Sequence, residues 1–406
     1  MTETTRIALV NGDGIGPECM VQAIRIIGTA AETFDKLRII WAPAPMGWNA
    51  FQNPELEDTF PQSSFETCKR CKIVYFGAVG DKELDKTLGE KYPHMKPERR
   101  ALIDGLRYGL NLLINLRVFR QGDVNQHWGR YLLEDGYMGD ELLRRLLELK
   151  GVPGVPDDVT RRVTQHAAEQ LGLKFGNVKV ADDEELVGEF AYYTKTNLEA
   201  YARYLFQYAK DNELPVLNLH KANVLRRSKL WKQTIDRVHA QEFSDIPYAE
   251  QFIDAANALL VAGTLPNGVI LAGNEHGDIG SDGAAGLKPK GKDTVPTPLS
   301  LGEMYSASIN PTEGYALFES GAGTACDIAG QNKANPVGRI LAGAEMLQFI
   351  GATEAAKAVR YGVQRTKEQG FVTTDLASPA ELGAKDPCIL GTKEISDKIL
   401  QNMLDA

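Results

Sequence analysis

What this 406-residue chain has little of closes off whole classes of function. No apolar run approaches the roughly 20 residues that a membrane-spanning helix needs. The start, Met1-Thr-Glu-Thr-Thr-Arg6, leads straight into Ile7–Val10, which is too short and wrongly flanked for a secretory signal, so a cytoplasmic protein without membrane contact is expected. Positive charge is in deficit: 45 Lys and Arg against 54 Asp and Glu leave a net charge of -9, whereas a nucleic-acid or anionic-lipid partner calls for a basic face. Cysteine is sparse and odd in number, at five. The only close pair, Cys68-Lys-Arg-Cys71, has neither a second pair nor neighbouring histidines for zinc, and both are expected on the buried face of a helix end. Phosphate-binding fingerprints are missing too. Gly12, Gly14 and Gly16 match neither G-x-G-x-x-G nor a P-loop, so they predict a tight strand-to-helix turn and neither classical nucleotide fold.

What is present is ordinary globular composition, 43% hydrophobic and 24% charged, with length for a large core. Strand and helix patterns alternate, which predicts an α/β fold. The strands expected are Ile7–Val10, Leu37–Trp41, Ile73–Phe76, Leu112–Leu116, Val178–Ala181, Pro215–Leu219 and Gly268–Leu271. The helices are Cys19–Ala31 with Pro17 in its first turn, Ser63–Lys69, Asp140–Lys150, Asp158–Leu171, Thr196–Lys210, Phe252–Leu260, Val337–Ile350 and one opened by Gly391-Thr392. Phe318–Pro336 reads as a long Gly, Ala and Asn loop, suited to wrapping a planar ligand or serving as a linker.

Chemistry concentrates in a few places. Gly273–Leu287 looks like a strand feeding a helix, and Asp278 and Asp282 stand four apart, so in a helix their carboxylates share one face. Two such carboxylates make a hard oxygen site for Mg2+ or Mn2+; otherwise Asp278 caps the helix and Asp282 is solvated. Arg107 and Arg117 flank Leu112–Leu116, which reads as a largely buried strand, and are placed either to clamp a carboxylate substrate or to end a helix and meet solvent. Lys221 with Asn223 follows a strand end, and Asp254 interrupts an apolar helix, where a charge needs a partner.

Taken together, NGDGIGPE, the strand end GAVG, the arginines in LR-x9-R register, KANVL, GDIGSD and DIAG followed by ANP resemble the isocitrate/isopropylmalate dehydrogenase family almost end to end. The resemblance implies metal-dependent oxidation of a 2-hydroxy acid by NAD or NADP, usually with loss of the β-carboxylate as CO2. It makes Asp254, Asp278 and Asp282 the Mg2+ or Mn2+ ligands, Arg107 and Arg117 the substrate-carboxylate clamp, Lys221 the base and Asn223 a substrate or nicotinamide contact. Glu319–Asn335, with Gly323, Thr324, Asp327 and Ile328, becomes the adenine-side cofactor site. Asp327 stands where an NADP-using member carries a basic residue, which favours NAD. Lys221 and Asp254 reach the other subunit's site, implying a homodimer with shared active sites. The implied fold has two domains, 1–113 with 289–406 and a smaller 114–288, and is not a classical Rossmann fold.

Three departures stand out. The family's arginine, followed a few residues on by a proton-donating tyrosine, matches Val178–Tyr193 best, which puts Asp183 or Glu184 and Phe190 at those positions and leaves Tyr192 or Tyr193 as the substitute donor. Ala322 stands where a histidine packs on adenine, and residues 288–298 are inserted. The helix before Arg107 faces the substrate's variable substituent and here offers Arg100, Ile103 and Asp104, which points to a polar or anionic malate-type substrate. Oxidation without decarboxylation, and a non-catalytic relative, are the other two classes considered.

Overall fold

Segments that are apolar at successive positions, without alternation, are covered on both faces, and those segments carry the sheet. The computed structural model describes residues 3–121, 124–134, 191–286, 303–377 and 388–406. The helices expected at Asp140–Lys150 and Asp158–Leu171, the strand expected at Val178–Ala181, and Asp183, Glu184, Phe190 and 288–298 lie outside the described residues. The ten described strands are β1 (Glu3–Val10), β2 (Leu37–Pro43), β3 (Ile73–Phe76), β4 (Ile114–Gln121), β5 (Val124–Tyr131), β6 (Val216–His220), β7 (Tyr248–Phe252), β8 (Gly268–Gly273), β9 (Tyr305–Ile309) and β10 (Ala316–Ser320). They form one sheet in the order β2-β1-β3-β10-β9-β4-β5-β8-β6-β7.

The pairing divides that sheet. β2, β1, β3 and β10 are mutually parallel, as are β5, β8, β6 and β7. Between them β10–β9, β9–β4 and β4–β5 are all antiparallel, and three reversals set the two parallel quartets running in opposite directions. This is a mixed α/β sheet and not the Rossmann arrangement.

Helices from both ends of the chain cover the first half. Gly16–Phe34 buries Cys19, Met20, Ala23, Ile26, Ile27, Ala30 and Ala31, the three-and-four spacing of an amphipathic helix, and packs with Val337–Phe349, Thr353–Glu368 and Thr392–Leu404. On the second half, Lys195–Asp211 and Arg226–Glu242 pack on each other through Tyr201, Leu205, Phe206, Trp231 and Ile235. Cys68 is buried in the helix Gln62–Cys71, and burial pushes its thiol up to about 12.

Some expectations need correction. Leu112 and Leu113 precede β4; Leu112 N–H donates to Arg107 O (2.8 Å), closing the turn in which Asn111 takes a φ of 50°. Phe318–Ser320 belongs to a buried strand, not a loop, because β10 lies between β3 and β9. Phe252 ends β7, and the helix begins at Ile253. The segment Glu98–Tyr108 is a π-helix, a wound-out turn form common at functional sites.

In β5, His127 is fully buried, with Nδ1 2.8 Å from the Tyr208 hydroxyl and Nε2 2.9 Å from Asn125 Oδ1. Burial, with the charges of Arg120 and Arg360, lowers its pKa from 6.5 to about 3. The fold holds the ring neutral, so its contribution is fully present above pH 6.5 and is lost as pH falls below it. We predict an acid limb of about 1.4 kcal/mol per pH unit, measured by urea denaturation, that flattens in His127→Gln. An unchanged limb in the variant assigns the loss elsewhere.

Candidate active site

The strand-to-helix turn after β1 is built around Asp13. Its carboxylate is 3% exposed and accepts backbone N–H from Trp48 (3.0 Å), Asn49 (2.9 Å) and Gly80 (2.7 Å), tying three loops together at the ends of β1, β2 and β3. Burial raises its pKa and those donors oppose the rise. Gly14, at φ 56°, lets the turn touch the Gly321–Asn335 segment: Ile15 N–H donates to Thr324 O (2.8 Å), and a Cβ on Gly14 would meet that oxygen at 2.0 Å. Beyond Thr324, Asp327 lies exposed in the short helical turn Cys326–Ile328, and open space surrounds Gly323. Asn335 donates through Nδ2 to Asp375 (3.0 Å) and accepts from Val337 N–H (3.0 Å), which fixes its amide at the head of the next helix.

The second assembly lies at the antiparallel centre of the sheet. Arg107, at the end of the π-helix, reaches Glu319 on β10 (3.0 Å), which also accepts from Ser306 (3.2 Å). Arg117 on β4 spans both aspartates of the helix Asn274–Ala285, at 2.8 Å from Asp278 and 2.8 Å from Asp282. Asp278 and Asp282 therefore sit in the body of the helix, one turn apart on one face, and Asp278 is not its cap. Burial raises the pKa of Asp282, with the Arg117 charge opposing and the Asp278 charge adding. Arg130 on β5 joins them, 2.7 Å from Asp278 and 2.7 Å from Asn274, with its side chain 2% exposed. Arg107 and Arg130 line one small depression with Ile103, Tyr108, Leu132, Leu133 and Asn274.

Arg130 is the residue the sequence reading missed. The polar, glycine-containing VNQHWGRY shows no strand alternation, and its one signal was a tyrosine, Tyr137, seven residues on. Arg100 and Asp104 do not line the depression. Arg100 is held by Asp58 (3.1 and 2.9 Å), and Asp104 is paired with Arg99 (3.0 Å).

The third assembly is separate. Parallel pairing of β6 with β7 sets His220 beside Phe252, which brings Lys221, just past one strand, to Asp254 just past the other, at 2.6 Å. The bond from Lys221 holds the exposed Asp254 carboxyl below its ordinary range. Asn223 is exposed in the turn after Lys221, and Tyr192 is half-buried, its N–H donating to Glu134 O (3.1 Å). Asp254 borders an apolar depression of about 290 Å³ formed with Trp128, Leu219, Leu260 and Ile279. Among the described residues no three His, Cys, Asp or Glu side chains gather as a metal site, so Asp254 is not brought to Asp278 and Asp282 within one chain. No described helix is long and apolar enough to cross a membrane.

The sequence and the fold match known proteins. The isocitrate/isopropylmalate dehydrogenase family model matches residues 6–399. A 3-isopropylmalate dehydrogenase of Shigella flexneri is 31% identical over 394 residues, 95% of this chain and 96% of that one. Another, from Photobacterium profundum, is 31% identical over 407 residues, 98% of each. Isocitrate dehydrogenase from Methylococcus capsulatus superposes with a TM-score of 0.71 at 27% identity, covering 98% of this chain and 99% of that one. A β-decarboxylating dehydrogenase from Thermococcus kodakarensis gives 0.68 at 25%, covering 99% and 96%. The chain belongs to the isocitrate/isopropylmalate dehydrogenase family.

The Gly14 contact is testable by itself. Gly14→Ala should destabilise by about 1–3 kcal/mol and raise amide exchange in the Gly321–Asn335 segment. The control Gly28→Ala, whose Cβ meets nothing within 4 Å inside a helix, should be neutral or stabilising. Equal melting curves and exchange rates for both variants would remove the contact from the account.

Proposed function

We propose that this protein is an NAD- and Mg2+- or Mn2+-dependent dehydrogenase that oxidises a malate-type 2-hydroxy acid and releases its β-carboxylate as CO2. The observation that supports this most is the meeting of Arg117 and Arg130 on Asp278 and Asp282, with Arg107 beside them. Two carboxylates one helical turn apart are a hard-oxygen donor set and fit a divalent cation. Asp278 and Asp282, with Asp254 of a second subunit, would hold it. When bound, it polarises the 2-hydroxyl and stabilises the charge that develops as CO2 leaves.

The remaining work falls to this chain's own side chains. Arg107, Arg117 and Arg130 receive the substrate's carboxylates, the planar forks setting its orientation. Lys221, once released from Asp254 as the neutral amine, takes the hydroxyl proton, directly or through water. The general acid is Tyr137 in this reading, because Arg130 and Tyr137 restore the family's arginine-then-tyrosine pattern. Tyr137 thereby replaces Tyr192 as the candidate donor, and Asp183, Glu184 and Phe190 leave the register. Tyr137 lies outside the described residues, so this assignment rests on spacing. Arg100 and Asp104 are the charged candidates for the substrate's substituent, each with an internal partner that the substrate must displace.

NAD is favoured by the exposed Asp327 carboxylate, which accepts ribose hydroxyls and repels a 2′-phosphate. The open ground at Gly323 and the Gly14–Thr324 contact suit a dinucleotide lying along Thr324, Ile328 and Asn335, with Glu319 at the inner end. A homodimer with shared sites is supported by the apolar depression at Asp254 and by the exposed Phe252, Val261 and Ile279 near it. We assign 1–113 and 289–406 to the larger domain and 114–288 to the smaller, with cytoplasmic localisation.

The test is NADH formation with Mg2+ or Mn2+ across malate, tartrate, isocitrate, homoisocitrate, 3-isopropylmalate and phosphonomethylmalate. We expect metal-dependent turnover of at least one compound, reduced roughly 10³-fold or more in Asp278→Asn. One CO2 per NADH marks decarboxylation, and NADH without CO2 marks oxidation alone. Asp327→Arg should move the preference from NAD toward NADP. No turnover anywhere on the panel, with folded protein, would sink the assignment.

A further inference from the structure

Arg117 and Arg130 hold the oxygen atoms that a divalent cation needs. Asp278 Oδ1 accepts from Arg117 Nη2 at 2.8 Å and from Arg130 Nη1 at 2.7 Å, while Arg117 Nη1 sits 2.8 Å from Asp282 Oδ1. The Arg117 fork thus spans the two carboxylates as a bridging cation does. Both guanidiniums are braced from behind by one buried amide. Asn115 Oδ1 accepts from Arg117 Nε (3.2 Å) and lies 3.4 Å from Arg130 Nη1, and Asn115 Nδ2 donates to Ser308 Oγ (2.9 Å). With Ser281 Oγ a further 3.0 Å from Arg117 Nη1, the fork is held at the aspartates from several sides.

We propose that Arg117, seconded by Arg130, is a surrogate cation that competes with the metal for Asp278 and Asp282, so that metal and diacid enter together. The proposal rests on reading those aspartates as cation ligands. Charge decides the coupling. Two guanidiniums and two carboxylates sum to zero. A dication that claims both aspartates leaves this group at plus two and turns the forks loose. A dianionic acid is the partner that restores neutrality, because its carboxylates give the freed forks bidentate acceptors. Metal alone must displace Arg117 and leave excess charge in a poorly solvated place, and diacid alone finds the forks engaged. Each ligand therefore assists the other, reciprocally. The same arginines then serve two states: with the aspartates in one, with the substrate in the other.

The test measures Mn2+ binding by electron paramagnetic resonance of the free ion, with and without malate, on the full chain and on Arg117→Lys. Lysine keeps the charge and loses the fork, so a purely long-range repulsion is unchanged by it. The competition predicts that Mn2+ alone binds Arg117→Lys about tenfold more tightly than the parent. It also predicts that malate tightens Mn2+ binding in the parent severalfold and much less in the variant. Equal Mn2+ affinities in parent and variant, or a parent indifferent to malate, overturn the competition while leaving the cation site standing. The second of these needs no variant and is decisive even if Arg117→Lys misfolds. Mn2+ retention that is absent from the parent under both conditions, or undiminished in Asp278→Asn, removes the cation site itself and the proposal with it.

Discussion

The constraint on which most of this structure depends is the reversal of strand direction at β10, β9, β4 and β5. Two parallel quartets of opposite sense share one sheet only through an antiparallel seam, and strands in the middle of a ten-stranded sheet are buried. A seam made wholly of apolar residues would suffice for stability. This one carries Asn115, Ser306, Ser308, Arg117, Arg130 and Glu319, each bonded to another polar group of the seam or of the helix lying on it. Buried polar groups of this kind are costly when a partner is lost, so each needs a polar partner in every state the cluster adopts. The chemistry sits where the sheet changes direction because only there do strands of both quartets, and the π-helix leading into β4, present side chains to one place.

Asp13 plays the corresponding role at the other site. Three backbone N–H groups from two other loops end on one buried carboxylate, so the turn after β1, the Trp48–Asn49 turn and the Gly80 turn are positioned as a unit. The loop carrying Asp327 rests on that unit through Thr324. A carboxylate that accepts several backbone donors serves as a rigid substitute for secondary structure.

Much of this was legible from residue pattern. The helical spacing of Asp278 and Asp282, the strand-end position of Lys221 and the glycine turn at Gly12–Gly16 each follow from local geometry, and local geometry is what a sequence records best. Arg130 and His127 were not legible for a common reason. Each lies on a strand whose side chains face protein on both sides, so the alternation that reveals a half-buried strand is absent and polar residues read as loop. The separation of Lys221 and Asp254 from the other candidates was expected only through the family resemblance, because it depends on strand order, a long-range property that no local window contains.

The π-helix Glu98–Tyr108 carries a further consequence. Its wider winding, with Gly105 close under Phe60, sets the angle at which Arg107 leaves the backbone toward Glu319. Direction in a helix is a matter of how many residues have gone by, and a winding other than the usual one makes that count unforgiving. The segment will accept changes of side chain far more readily than changes of length. Losing one residue upstream would turn Arg107 away by about a quarter of a revolution while leaving the composition of the site untouched. Among relatives, insertions and deletions should therefore be the rarer events here, and a gap at this point in an otherwise similar chain marks a protein with different substrate geometry.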